Sequence, residues 1–183
     1  MRQIQKPSPD EYPSYSKIYM KLIPDDGLVL QHLKENFKEI REFVYSLPPE
    51  KLLHRYAPGK WSIKEILVHL IDDERIVAYR ALCYARNDQT ELPGFAQDDY
   101  ANYSKADERT LESIFDEYET VRNATISLFQ FLPEDSMLRS GSLEGNENRR
   151  TVRAMVYHIS GNEQCHMKII KERYLNYPYK EGF

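Results

Sequence analysis

Met155–Arg173 reads MVYHISGNEQCHMKIIKER, and this stretch decides the fold. On a helix turning about 100° per residue, Val152, Met155, Val156, Ile159, Met167 and Ile170 form one apolar stripe. Asn162, Glu163 and His166 fall inside that stripe, and His158 sits at its edge. Burying such groups without partners costs roughly 2–7 kcal/mol each on transfer scales. They are therefore paired, wet, or bound to something. Asn162 and His166 lie four residues apart, about 6 Å along the axis, a spacing at which two side chains can share one metal ion. His158 lies about 12 Å from His166, too far for both to hold one ion, and reads as a solvent-edge or hydrogen-bonding residue.

The flanking sequence supplies three more helical patterns. The helix from Thr151 to about Tyr174 is preceded by one over about Glu108–Leu132, with Leu111, Ile114, Phe115, Tyr118, Thr125, Phe129 and Leu132 inward and Pro133 as a stop. Before it, Ser62 and Glu65 form a capping box that opens a helix to about Ala85. The first long pattern runs from about Gly27 to Leu47, with Asp25 or Asp26 as N-cap and Pro48-Pro49 as a stop. Its stripe is Leu30, Leu33, Phe37, Ile40 and Val44. Helices of about 23 residues are about 35 Å long, and four of matched length imply an all-α four-helix bundle. The long connections 87–107 and 133–150 imply crossovers, and MLRSGSL within the second reads as a turn or small hairpin. The expectation is one domain over 1–183, with its core at about 25–175 and with arms at both ends.

Composition narrows the function. Hydrophobic residues are 41% and charged residues 30% of the 183, as in ordinary globular domains. The net charge of −4 is spread without a basic block, which argues against nucleic acid as a partner. No apolar run approaches the ~20 residues that span a bilayer. Cys83 and Cys165 form no CxxC pair, and the expected location is the reducing cytoplasm.

The helix opened by Ser62 carries polar residues inward as the helix from Thr151 does. Glu74 sits in its apolar stripe, with His69, Asp73 and Arg80 on one shoulder, and the helix over about Glu108–Leu132 turns Arg122 inward. Glu74 with Arg122 reads either as a buried ion pair fixing register or as part of a catalytic or substrate site. Arg80 is either a solvated shoulder residue or a bidentate receptor for a substrate carboxylate. His69 and His166, with Asn162 and Glu163 beside the latter, form a candidate metal or acid–base site. Cys165, turned about 100° from His166, reads as a packed or surface thiol, and Trp61 as a packing anchor.

Three stretches, PGKWSIKEILVHLIDDERIVAYRALCYARND, LPGFAQDDY and TVRAMVYHISGNEQCHMKIIKERY, together resemble the DinB-like family of metal-dependent four-helix bundles over about residues 25–175. Relatives in that family include bacillithiol and mycothiol S-transferases. The resemblance implies a divalent metal, zinc or nickel, held by three histidines. Carried over, they fall on His69, Asn162 and His166, so an asparagine stands where the family has its middle histidine. Glu163 is retained in type beside this site, and with the inward Glu74 it is a catalytic candidate, while Arg80 and Arg122 are candidate receptors for acidic groups of a small-molecule substrate. The activity implied is thiol S-transfer or hydrolysis, with a low-molecular-weight thiol as possible cofactor and a homodimer as the assembly. The alternative, opened by Asn162, is a non-catalytic binding or structural bundle that has lost its metal.

Overall fold

The computed structural model describes residues 1–143 and 146–175. After a buried Ile4 and a 3₁₀ turn at Ser14–Ser16 come the short helix α1 (Lys17–Met20) and the first long helix, α2 (Val29–Tyr45). A single turn, α3 (Pro49–Leu52), leads to α4 (Ile63–Ala85). The next connection holds α5 (Gln97–Tyr103), and α6 (Leu111–Phe131) follows. A hairpin of β1 (Ser140–Leu143) and β2 (Asn146–Thr151) then delivers the chain into α7 (Val152–Ile169), whose last turn widens into a π-helix at Ile170–Tyr174.

The boundaries follow local chemistry. The Ser62–Glu65 capping box is present in both directions. Thr110 and Thr151 cap α6 and α7 by accepting from the N–H groups of Ser113 and Ala154. Helix α2 starts later than the sequence suggests. Asp26 accepts from the Leu28 N–H at 2.9 Å, and this turn delays the helix until Val29. Asp107 is likewise occupied, receiving the Ser62 hydroxyl and Arg55, so Ala106–Glu108 forms a 3₁₀ turn before α6.

Helix α4 packs on α6 and α7, and so does α2. Sequence-adjacent α2 and α4 are thus diagonal partners, which is why the connections must cross the bundle. The core falls into two apolar clusters. One gathers Leu30, Val77, Phe129, Val152 and Ile159, and the other Phe37, Leu67, Phe115, Met167 and Ile170. Between them along the helices sit Glu74, Arg122 and Glu163.

The N-terminal arm packs on the bundle, as expected. Tyr157 donates to the Ile4 carbonyl at 2.8 Å, and Glu11 receives Thr151 and Arg153. The expected C-terminal arm from residue 176 onward lies outside the described residues.

Candidate metal centre and substrate cavity

The inward polar residues separate into two groups. Glu74, Arg122 and Glu163 form a closed network with Tyr118. Arg122 donates through Nε to Glu74 Oε1 at 3.0 Å and through Nη2 to Glu74 Oε2 at 2.9 Å. It also reaches Glu163 Oε2 and the Leu33 carbonyl, and the Tyr118 hydroxyl donates to Glu163. All four side chains are almost completely buried. Burial raises the Glu74 carboxyl, against Arg122, which lowers it. Arg122 borders a separate cavity beside α2, with Lys34, Arg41 and Glu119, and neither it nor the two carboxylates border the cavity described next. Of the ion-pair and site readings open for Glu74 and Arg122, the geometry is that of the ion pair.

The second group lines a cavity of about 550 Å³ between α4 and α7. His69, Asp73, Val77 and Arg80 come from α4, and His158, Asn162, Cys165, His166 and Ile169 from α7 and its end. Tyr15, Ile18 and Tyr19 of the arm, Phe95 of the α4–α5 connection, and Arg150 close the rest. The i, i+4 spacing of α4 and of α7 puts these side chains in rows that face each other.

His69 and His166 meet across the two helices, their ring centroids 4.9 Å apart. Trp61 lies over both, at 4.7 Å from His69 and 6.2 Å from His166. It is therefore a wall of the cavity as well as a packing anchor. Burial lowers the His69 imidazole, and burial reinforced by His69 lowers His166 to about 4. Both rings are neutral at neutral pH, the form that binds metals. Asn162 Nδ2 donates to Asp73 Oδ2 at 3.0 Å, which leaves the amide oxygen as the donor atom it can offer. Burial works to raise Asp73, but His158 beside it, then His69 and Arg150, hold its carboxyl at about 2.

Two imidazoles and an amide oxygen fit a divalent ion such as zinc or nickel, with the oxygen as the weaker third ligand. Among the described residues, no three His, Cys, Asp or Glu side chains are grouped to hold an ion.

Three further residues border the cavity. His158 is buried, so of its solvent-edge and hydrogen-bonding readings the geometry is that of the second. Its Nε2 lies 3.5 Å from Asp73 Oδ2, its Nδ1 has no partner among the described residues, and Tyr19 packs edge-on at 5.0 Å. Cys165 is half-buried, borders the cavity, and has its thiol pushed up by burial. Arg150 was not singled out, because it stands in a connection with no periodicity to orient it.

A bundle with a crossed topology and a polar cavity between its second and fourth long helices defines a class of helical-bundle proteins. A family model for the DinB superfamily matches residues 32–170. The chain belongs to the DinB superfamily. Among solved structures it is similar to YfiT from Bacillus subtilis, described as a probable metal-dependent hydrolase with an unusual four-helix bundle topology. The TM-score is 0.73 at 13% identity, over 84% of this chain and 89% of that one. No curated protein matches the sequence.

Proposed function

We propose that the protein is a metal-dependent enzyme of hydrolase type acting on a small molecule in the α4–α7 cavity. The observation that carries this reading is the pair of imidazoles, His69 and His166, with ring centroids 4.9 Å apart in the cavity wall. His69, His166 and Asn162 would hold the ion. Such a cation, when bound, supplies Lewis acidity and lowers the pKa of a coordinated nucleophile.

The chain's own residues do the rest. Asp73 fixes the Asn162 amide and is itself kept ionised, the arrangement by which outer carboxylates orient inner ligands. Trp61 packs on both ligand imidazoles, and Tyr19 packs on His158. Arg80 stays on the cavity wall as a receptor for substrate, while Glu74, Glu163 and Arg122 hold the bundle together. A thiol S-transferase would use the same site with a low-molecular-weight thiol in place of water.

The test is metal content per folded chain, measured by mass spectrometry on protein made without a histidine tag. Near one equivalent of zinc or nickel is expected, falling at least tenfold in His69→Ala. Asn162→His should raise the affinity at least tenfold, since it replaces a weak oxygen donor with imidazole.

A second reading, a binding bundle without metal, is favoured by the lack of any grouping of three His, Cys, Asp or Glu side chains among the described residues. It predicts less than a tenth of an equivalent after loading and desalting, and no change in His69→Ala.

A further inference from the structure

The cavity holds two arginines against one aspartate. Arg80 and Arg150 both border it and are 6% and 8% exposed. Among the described residues neither has a carboxylate within 4 Å, although Arg55, Arg75, Arg109, Arg122 and Arg153 all do. A buried cation without a counter-charge is expensive, and two facing the same space repel. Asp73 offsets them only from beyond ion-pair distance, because its carboxylate accepts from Asn162 and faces His158.

Each guanidinium is instead fixed by neutral groups. Arg80 donates Nη2 to the Pro93 carbonyl at 2.8 Å and lies 5.7 Å from the Phe95 ring centroid. Arg150 donates to the Tyr15 hydroxyl and lies 5.2 Å from that ring. These contacts hold the two groups in place and leave most of their five donors each unspent. Burial pushes the Arg80 guanidinium below its ordinary value, and Arg150 pushes the same way. Apolar surface from Trp61, Ile18, Val77 and Phe95 makes up much of the remaining wall.

We propose that Arg80 and Arg150 form an anion-binding subsite, so that the substrate is a small molecule bearing a carboxylate or phosphate beside an apolar body. This rests on the reading of the cavity as the substrate site. The anion pairs with the two guanidinium forks, and the body lies toward Trp61 and the two histidines. Arg150 takes the place among the substrate receptors that the sequence suggested for Arg122.

The chain has one tryptophan, and it borders the cavity, so its fluorescence reports binding. Benzoate, phenyl phosphate and benzamide would be titrated into the protein as purified, and again after EDTA treatment. At least one anion should bind ten times more tightly than benzamide or better, and the tighter of the two anions identifies the charged group. Arg80→Gln and Arg150→Gln should each lower that affinity about tenfold and leave benzamide unaffected. Folding of each variant is checked by circular dichroism. If Arg150→Gln fails to fold, Arg150→Lys, which keeps the charge but loses the fork, should give a smaller loss in the same direction. Equal binding of benzamide and both anions, or unchanged anion affinity in folded variants, overturns the proposal. Because binding is read without turnover and also without metal, failure of the metal centre leaves this result standing, and the reverse.

Discussion

Neighbouring residues on one helix serve different sites here. Asp73 and Glu74 are about 100° apart on α4, as are Asn162 and Glu163 on α7. In each pair the first faces the cavity and the second enters the buried network. An apolar stripe is itself at least 100° wide. Hence the sequence reveals that polar groups point inward but does not sort them between the two sites. The sorting predicts different phenotypes. Arg122→Met leaves Glu74 and Glu163 buried without their cation and should cost about 3–5 kcal/mol, read from urea unfolding. Substitution of Arg80, whose one polar contact is a loop carbonyl, should change ligand affinity far more than stability. Equal losses of stability in the two variants would mean that the network and the cavity are not separate units.

At the level of elements, the long helices and their caps are legible because each rests on local chemistry, such as the Ser62–Glu65 box and Thr151. The loops are less so. MLRSGSL reads as a turn or hairpin and holds β1, but the place of Arg150 depends on tertiary contacts, and no periodicity marks it. The arm meets α7 through Glu11, which takes Arg153 Nε at 2.7 Å and the Thr151 hydroxyl at 2.9 Å. Partial burial would raise this carboxyl, but Arg153, Ser8 and Thr151 hold it at about 2, against 4.5 in the unfolded chain. The folded-state pKa is depressed, so the stabilisation is complete above about 4.5 and is lost as pH falls toward 2. Glu11→Gln should flatten the pH dependence of stability over that window and leave it parallel to wild type above pH 5. Denaturant midpoints taken at intervals across pH 2–7 would check this, and an unchanged slope below pH 4.5 would remove Glu11 from the account. Gly161 is a further point of contact. A Cβ there would lie 2.6 Å from the Tyr19 Cβ and 2.7 Å from the Tyr19 carbonyl oxygen. Backbone cannot yield to that as a side-chain tip can. Gly161→Ala should therefore displace α1 from α7, weakening ligand binding through Tyr19 more than it unfolds the bundle.

Across the whole molecule, the arm joins folding to function. The four-helix pattern alone gives the bundle, and the family match begins only at residue 32. Yet Ile4, Met20 and Ile23 are buried in the same apolar cluster as Leu30 and Val156, and Tyr15, Ile18 and Tyr19 wall the cavity. The arm thus contributes to the core from one side and to the site from the other. Deleting residues 1–20 removes, with other buried residues, the side chains of Ile4 and Met20, each worth about 2–5 kcal/mol in core deletions. Against a typical domain stability of about 5–15 kcal/mol, the shortened bundle should be marginal, with a clearly lower urea midpoint. The point mutant Ile4→Ala separates the two roles. It should lower stability by about 2–5 kcal/mol while leaving cavity affinity for benzoate or phenyl phosphate within a few-fold of wild type, because Ile4 borders the core and not the cavity. Tyr19→Ala should do the opposite, since Tyr19 packs on His158 at 5.0 Å and belongs to the cavity wall. If both variants lost stability and binding together, the arm would be folding as one unit with the site, and the bundle would not be the independent scaffold that its four long helices suggest.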